Sequence, residues 1–533
     1  VREGNTTPST TQMPRILAAL ALFAFTAIWL LGGRGGLGVP GQWVLTPNAR
    51  PWPFGAWLLP VAVLVIFGGA AALSTYDRFA RAKSPKEQRN STLTALFCLA
   101  LLVLLWPWSL LGPGAINQNT GRDTNGRSDA SRLTLEGRFN IIAAMWSDVA
   151  TEYFGVAYQI SDARQFGREY ASKYQHPTSP AQAHVATHPP GATLLFYGAR
   201  RIYEAAPPLQ NGFESLAATL TQQKNAESVE ALQLLRTAVS RGARAPDPPP
   251  LPASALGGAL WTALLLGLSL VLAVPAVYGL AAAGSEGAVA EARGLFAVAL
   301  WVLAPTINLF AFTLDAPIAA GTVWTLFFAA KSLSSEAKTA RKWMIGAGIS
   351  LALTSFLSLG ALAAGLILVI ALAKFRRDVA APRLLELGAA FAAVWLILAL
   401  AFGFNPLEIV SNALAAHRFA TLGTRTLAPW SVMNLVTFAV FAGFGAFVCW
   451  FRRDRPASVA AQIGLATLAA MILLSLSGNV RGEVERLWLF LAAPVAVYAA
   501  CADLPPRVSS ALLIVQAAQT LLMAATLGPL VRP

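Results

Sequence analysis

Three of the four histidines in this chain, His176, His184 and His188, fall in one polar stretch that closes on His188-Pro189-Pro190-Gly191. Imidazoles carry protons, ligate metals or, once protonated, hold anions. The two prolines fix φ and forbid helix upstream, so they open the following helix at a defined angle. His188 then stands at a helix N-terminus, where unpaired backbone N–H groups favour negative charge. The same four residues also read as a plain helix start beside an exposed histidine. Spacings of eight and four match no committed set of metal ligands. A divalent cation is compatible with them but not required, and no other cofactor is implied.

Upstream, Trp146-Ser147-Asp148-Val149-Ala150-Thr151-Glu152-Tyr153-Phe154 sets two acids four residues apart. On one helix Asp148 and Glu152 share a face. Ile141, Ile142, Met145, Val149 and Phe154 predict that this helix lies on a bilayer surface. Partial desolvation there raises a carboxylate's pKa and improves it as a base near neutral pH. The bland alternative is a pair of solvated acids on an amphipathic helix.

Two further places could do chemistry. Asp315, in Thr313-Leu314-Asp315-Ala316-Pro317, stands between apolar segments. An ionised side chain costs about 2.5–3.5 kcal/mol at the centre of a membrane helix, so it needs a reason; helix capping ahead of a proline is one. The stretch Gly478 to Trp488 carries Arg481 and Arg486, whose planar guanidinium forks suit phosphate oxygens. Interfacial anchoring beside Trp488 is the other reading. His417-Arg418 is a weaker version of the same idea.

The elements that must position these residues are set by composition. The 533 residues are 56% hydrophobic and 12% charged, about half the charged fraction of a soluble domain, which predicts an all-α polytopic membrane protein. The net charge of +14 comes from short Lys/Arg runs between apolar segments, a mark of topology. No basic-aromatic surface points to nucleic acid. Cys98, Cys449 and Cys501 all lie in apolar segments, so neither a disulfide framework nor a thiolate metal site follows.

A span needs roughly 20 apolar residues. That rule predicts about 13 transmembrane helices, near 15–33, 55–75, 93–112, 255–282, 293–310, 315–331 and 343–358, then 360–374, 384–403, 429–450, 458–477, 487–501 and 508–527. The first reads as an uncleaved helix behind a polar tail. Three parts result: 1–112 with the tail and three spans, a large loop 113–254, and 255–533 with about ten spans. Basic clusters after the second, sixth, eighth and tenth spans all fall on one side, which makes it cytoplasmic. The large loop, Asp315, His417 and Arg486 then share the extracytoplasmic face. The apolar run Ala192 to Tyr197 is short and ends in Arg200-Arg201, so it is predicted as an interfacial or re-entrant helix within the loop. No internal repeat is visible, which counts against a transporter.

In this order the features resemble the GT-C superfamily of membrane glycosyltransferases, such as the protein O-mannosyltransferases and the lipid A aminoarabinose transferases. The likeness covers roughly 93–500. It differs in carrying Val149 where many members have a second acid, and in two extra spans ahead of the loop-bearing helix. The resemblance implies inverting transfer of a sugar from a polyprenyl-phosphate donor to an acceptor hydroxyl of a glycan, lipid or protein. It implies Asp148 as general base with Glu152 as its understudy, and His188, Pro189, Pro190 and Gly191 as the loop's closing motif. Asp315 would be the second outer acid. Arg486, with Arg481 and His188, would stabilise the lipid phosphate. The location implied is a bacterial inner (plasma) membrane, with membrane lipid as surroundings and the active site facing outside. The readings set against this are a transporter or flippase for lipid-linked sugars, and a glycan ligase or polymerase.

Overall fold

The computed structural model describes residues 13–31, 37–39, 43–45, 57–81, 84–110, 115–117, 134–136, 139–146, 151–177, 183–221, 228–230, 232–234, 236–237, 247–422, 425–451 and 457–527. Long apolar runs fold into helices because each backbone N–H and C=O then finds its partner within the segment. Helices occupy all thirteen predicted positions. Among the described residues eight are long and apolar enough to cross a membrane, among them Met13–Leu31, Ala255–Ala282, Asp315–Leu333, Arg377–Phe402, Val459–Ser477 and Pro506–Leu527. The architecture is that of an all-α membrane protein. Two three-residue antiparallel ladders, Leu37–Val39 with Trp43–Leu45 and Ala115–Asn117 with Thr134–Glu136, are additions that the composition did not predict.

The centre of the bundle is the helix Leu489–Ala500, all of whose residues are buried, as expected for a helix that is apolar all round. The 255–282, 315–333 and 459–477 helices surround it. The 377–402 helix lies at the edge of the bundle and exposes Leu385, Ile397 and Leu400, an apolar surface of the kind that faces lipid rather than water. Local signals end the helices. Gly403 and Gly478 terminate theirs in the left-handed conformation (φ 75° and 69°), which a residue without Cβ adopts freely.

Two elements depart from expectation. The described residues here form the helices Phe139–Trp146 and Tyr153–Ala157. Asp148 lies outside the described residues. Glu152, just ahead of the second helix, has φ 46°, a value no right-handed helix permits, so no continuous helix runs through Glu152. Nor does the segment lie on a lipid surface: Ile141, Ile142, Met145 and Phe154 are at most 2% exposed, and Phe139–Trp146 packs against the 255–282 helix. The second concerns the Gly191–Glu204 helix, predicted as a short helix within the loop, whose inner face docks on protein. Trp261 donates its indole N–H to the Ala199 carbonyl (3.0 Å). Arg200 turns inward, donating to the carbonyls of Tyr158 (3.0 Å) and Ile160 (2.9 Å), with its guanidinium over the rings of Tyr158 and Tyr197.

Candidate functional site

His188 is extended (φ −115°, ψ 158°), the conformation a following proline imposes. Pro190 then starts the helix at Gly191. Gly191 is required there: a Cβ would stand 2.3 Å from the Phe356 carbonyl oxygen. This close approach brings His188 Nδ1 within 3.0 Å of the Leu357 carbonyl oxygen. A carbonyl only accepts, so Nδ1 carries the proton. Burial lowers the imidazole's pKa to about 4, leaving it neutral at pH 7. A neutral ring brings no charge to a phosphate; what the geometry shows is His188 bonded to the Leu357 carbonyl at the helix start.

The loop around His188 is latched from the acid-bearing segment. Glu152 accepts the Val185 N–H at its Oε2 (2.8 Å), and Tyr153 donates its hydroxyl to the His184 carbonyl (3.0 Å). Tyr170 donates to the carbonyls of Val185 (2.6 Å) and His188 (2.9 Å). The Tyr153 ring stacks on Phe196 and meets His188 edge-on at 5.5 Å. Its hydroxyl pKa is raised by burial first, with Glu152 and Asp315 adding and Arg486 opposing.

Arg486 stands opposite. Its Nε lies 3.6 Å from Asp315 Oδ2 and its Nη2 3.4 Å from Glu483 Oε2. Burial works against its charge, yet Asp315 and Glu483 together raise its pKa. Its Nη1 has no hydrogen-bond partner among the described residues. Glu483 is strained (φ 59°), and its second oxygen takes Nη2 of Arg425 at 2.6 Å. Burial pushes the Glu483 carboxyl up, but Arg486 and Arg425 outweigh it and hold it below the usual range. Residues forced to φ > 0 collect where surrounding contacts over-determine them, and both Glu152 and Glu483 belong to this cluster.

Arg481 donates to the carbonyls of Gly478 (3.0 Å) and Arg425, contacts that tie its guanidinium to its own loop and to Arg425. His417 reaches the Asn479 carbonyl. His176 is exposed at the end of the Ala163–Tyr174 helix. Among the described residues no group of three or more His, Cys, Asp or Glu side chains is placed to hold a metal ion.

The cluster borders an apolar groove of about 710 Å³. Gly191, Pro317, Phe328, Ile349, Leu353, Leu357 and Leu398 are among its lining residues. Asp315 is two residues from Pro317, and Leu357 carries the carbonyl that holds His188. Arg486 does not line the groove itself; its partner Asp315 stands two residues before Pro317, which does.

Comparison with family models, curated proteins and solved structures finds no match to this chain.

Of the residues that sequence reasoning singled out, the structure pairs Asp315 with Arg486, and Glu152 latches the loop that ends at His188. That reasoning missed Arg425 and Glu483, which hold Arg486, and the tyrosines 153 and 170, which latch the histidine loop. The available signal for Arg425 was its place just ahead of an apolar run on the side shared with Arg486. Glu485 was also missed. It is 4% exposed, and burial, with Glu483 adding, pushes its carboxyl up to about 8.

Proposed function

We propose that this protein is a GT-C-type glycosyltransferase that moves a sugar from a polyprenyl-phosphate donor to an acceptor hydroxyl, with inversion. One observation carries the reading: Arg486, whose Nη1 has no hydrogen-bond partner among the described residues, pairs with Asp315, two residues before Pro317 in the lining of an apolar groove. A headgroup anion joined to a long hydrocarbon chain matches both halves of that site, and a water-soluble nucleotide sugar would leave the groove unused. The reading includes thirteen spans, the large loop 113–254 outside the membrane, and an active site on the extracytoplasmic face of a bacterial inner membrane.

In this mechanism the acceptor oxygen attacks the anomeric carbon as the bond to the phosphate oxygen breaks. Asp148 takes the hydroxyl proton. Glu152 is already spent on the Val185 N–H, which supports Asp148 over it as base and gives Glu152 the latch. Charge grows on the departing lipid phosphate, where a preorganised donor stabilises the transition state most. Arg486 supplies that donor through Nη1, while Asp315 and Glu483 fix its plane. Arg425 holds Glu483, and neutral His188 sets the geometry of the helix start.

The test is binding of undecaprenyl monophosphate to the purified protein in detergent. Wild type should bind, and Arg486→Gln should weaken binding by roughly 10-fold or more, the loss of a charge-assisted contact. Equal binding by both proteins would remove Arg486 from the anion site. Binding by neither would remove the lipid phosphate from the reading.

A further inference from the structure

Two helical segments of the bundle are broken in mid-course, and one polar stripe meets both breaks. Leu427–Ala442 and Phe444–Trp450 are interrupted at Gly443 (φ 99°). Gly287–Val302 stops just ahead of Pro305, which opens the short buried helix Pro305–Leu309. Each break frees backbone groups that an apolar interior cannot satisfy with water.

The partners come from three fully buried side chains of the 506–527 helix, Gln516, Gln519 and Thr520. Gln519 accepts the Phe444 N–H (2.8 Å) and donates to the Val440 carbonyl (2.7 Å). Gln516 accepts the Ala446 N–H (3.0 Å) and donates to the Leu300 carbonyl. Thr520 donates to the Leu303 carbonyl (2.6 Å). Gly443 leaves the room this needs: a Cβ there would stand 2.5 Å from Gln516 Cδ.

The far halves of the two broken segments carry the arginine loop. Asn434, on the 427–442 helix, donates to the Val480 carbonyl (2.7 Å) and accepts the Gly482 N–H (3.0 Å). Thr306, on the 305–309 helix, donates to the Glu485 carbonyl. Both struts under Arg486 are therefore tied to one stripe on one helix.

We infer that Gln516, Gln519 and Thr520 are positioning residues for the loop 478–486, acting through Asn434 and Thr306 without touching any ligand. The structural part stands alone, and only its effect on turnover rests on the proposed transferase reading. Removing one amide leaves two buried backbone groups unpaired, and each costs more than a made bond gains. The half-helix relieves that cost only by shifting, and the loop shifts with it.

The experiment is hydrogen–deuterium exchange on the full-length protein in detergent, read on the amides of Gly482, Leu487 and Trp488. These N–H groups are bonded to Asn434, to the Glu483 carbonyl and to the Val484 carbonyl. Gln519→Met keeps the volume and loses both bonds. It should speed exchange in the loop by about 10-fold, the loss of roughly one hydrogen bond's worth of protection, with the 255–282 helix unchanged. Gln519→Glu, which keeps an acceptor for Phe444, should lie nearer wild type. Thr520→Val loses a single bond and serves if the Met variant does not fold; it should speed exchange at Leu487. In the same variants kcat/KM for a lipid-phosphate sugar should fall by about 10-fold per folded molecule. Unchanged loop exchange in the folded variants would overturn the inference. Faster loop exchange in a protein whose wild type transfers nothing would keep the brace and end the transferase reading.

Discussion

At Glu152 the choice of substitution separates two tasks of one carboxylate. Glutamine keeps an oxygen to accept the Val185 N–H but cannot take a proton. If Glu152 is the latch, Glu152→Gln should retain transfer within a few-fold and Glu152→Ala should lose about 10-fold or more, as the histidine loop slackens. A Gln variant as dead as Asp148→Asn would make Glu152 the base instead. Glu485 gives a prediction in pH. It keeps its proton to about pH 8 when folded but releases it near 4.5 when unfolded. Between those values the folded state binds more protons, so this group's contribution to stability falls as pH rises through the window, by up to about 1.4 kcal/mol per pH unit. Glu485→Gln should flatten that slope in thermal unfolding followed from pH 5 to pH 8. A slope equal to wild type would contradict the burial argument. At this scale the sequence was legible where one residue type was out of place, as with Asp315 and Arg486 among apolar segments. It was illegible where a charge mattered through a partner far along the chain. Arg425 and Glu483 are 58 residues apart, and nothing local to either announces the pair.

At the scale of elements, the helices were readable because hydrocarbon leaves a chain few other ways to satisfy its backbone. The interruption at Glu152 was not. It depends on Glu152 holding a positive φ that its bond to Val185 and the surrounding contacts help to fix. The break at Gly443 was equally hidden, since a lone glycine in an apolar run reads as tolerated. Its signal lay on another helix, in two glutamines and a threonine within a segment otherwise fit to span. The His188-Pro189-Pro190 motif did predict a fixed helix start, and Gly191 makes that testable. Gly191→Ala would drive a methyl group into the Phe356 carbonyl and force the Gly191–Glu204 helix away from the 337–357 helix. An overpacked contact of this kind costs about 1–3 kcal/mol and should break the His188–Leu357 hydrogen bond. A thermal midpoint unchanged from wild type would show that the close approach is not rigid.

At the scale of the whole molecule, the proposed division of labour is between a charged cluster and an apolar groove, linked through Pro317, two residues from Asp315, and Leu357, whose carbonyl bonds His188. Composition and the positions of charge implied a membrane protein with its ionisable groups gathered together, but no sequence pattern indicates a groove. Its walls come from the Gly191 helix and the 315–333, 337–357 and 377–402 helices, which are far apart along the chain. Leu353 lines it and is half exposed, so Leu353→Trp should fill part of the groove without disturbing the core. It should raise KM for a lipid donor by about 10-fold at unchanged kcat, the pattern of lost uniform binding. The measurement that reaches the central claim most directly is transfer from a panel of radiolabelled polyprenyl-phosphate sugars, in membranes containing wild type or Asp148→Asn. The account predicts transfer by wild type with at least one donor, and a loss of 10²–10⁴-fold in the variant at equal folded protein. No transfer from any donor, combined with protein-dependent movement of the lipid across the bilayer, would contradict it and identify a transporter.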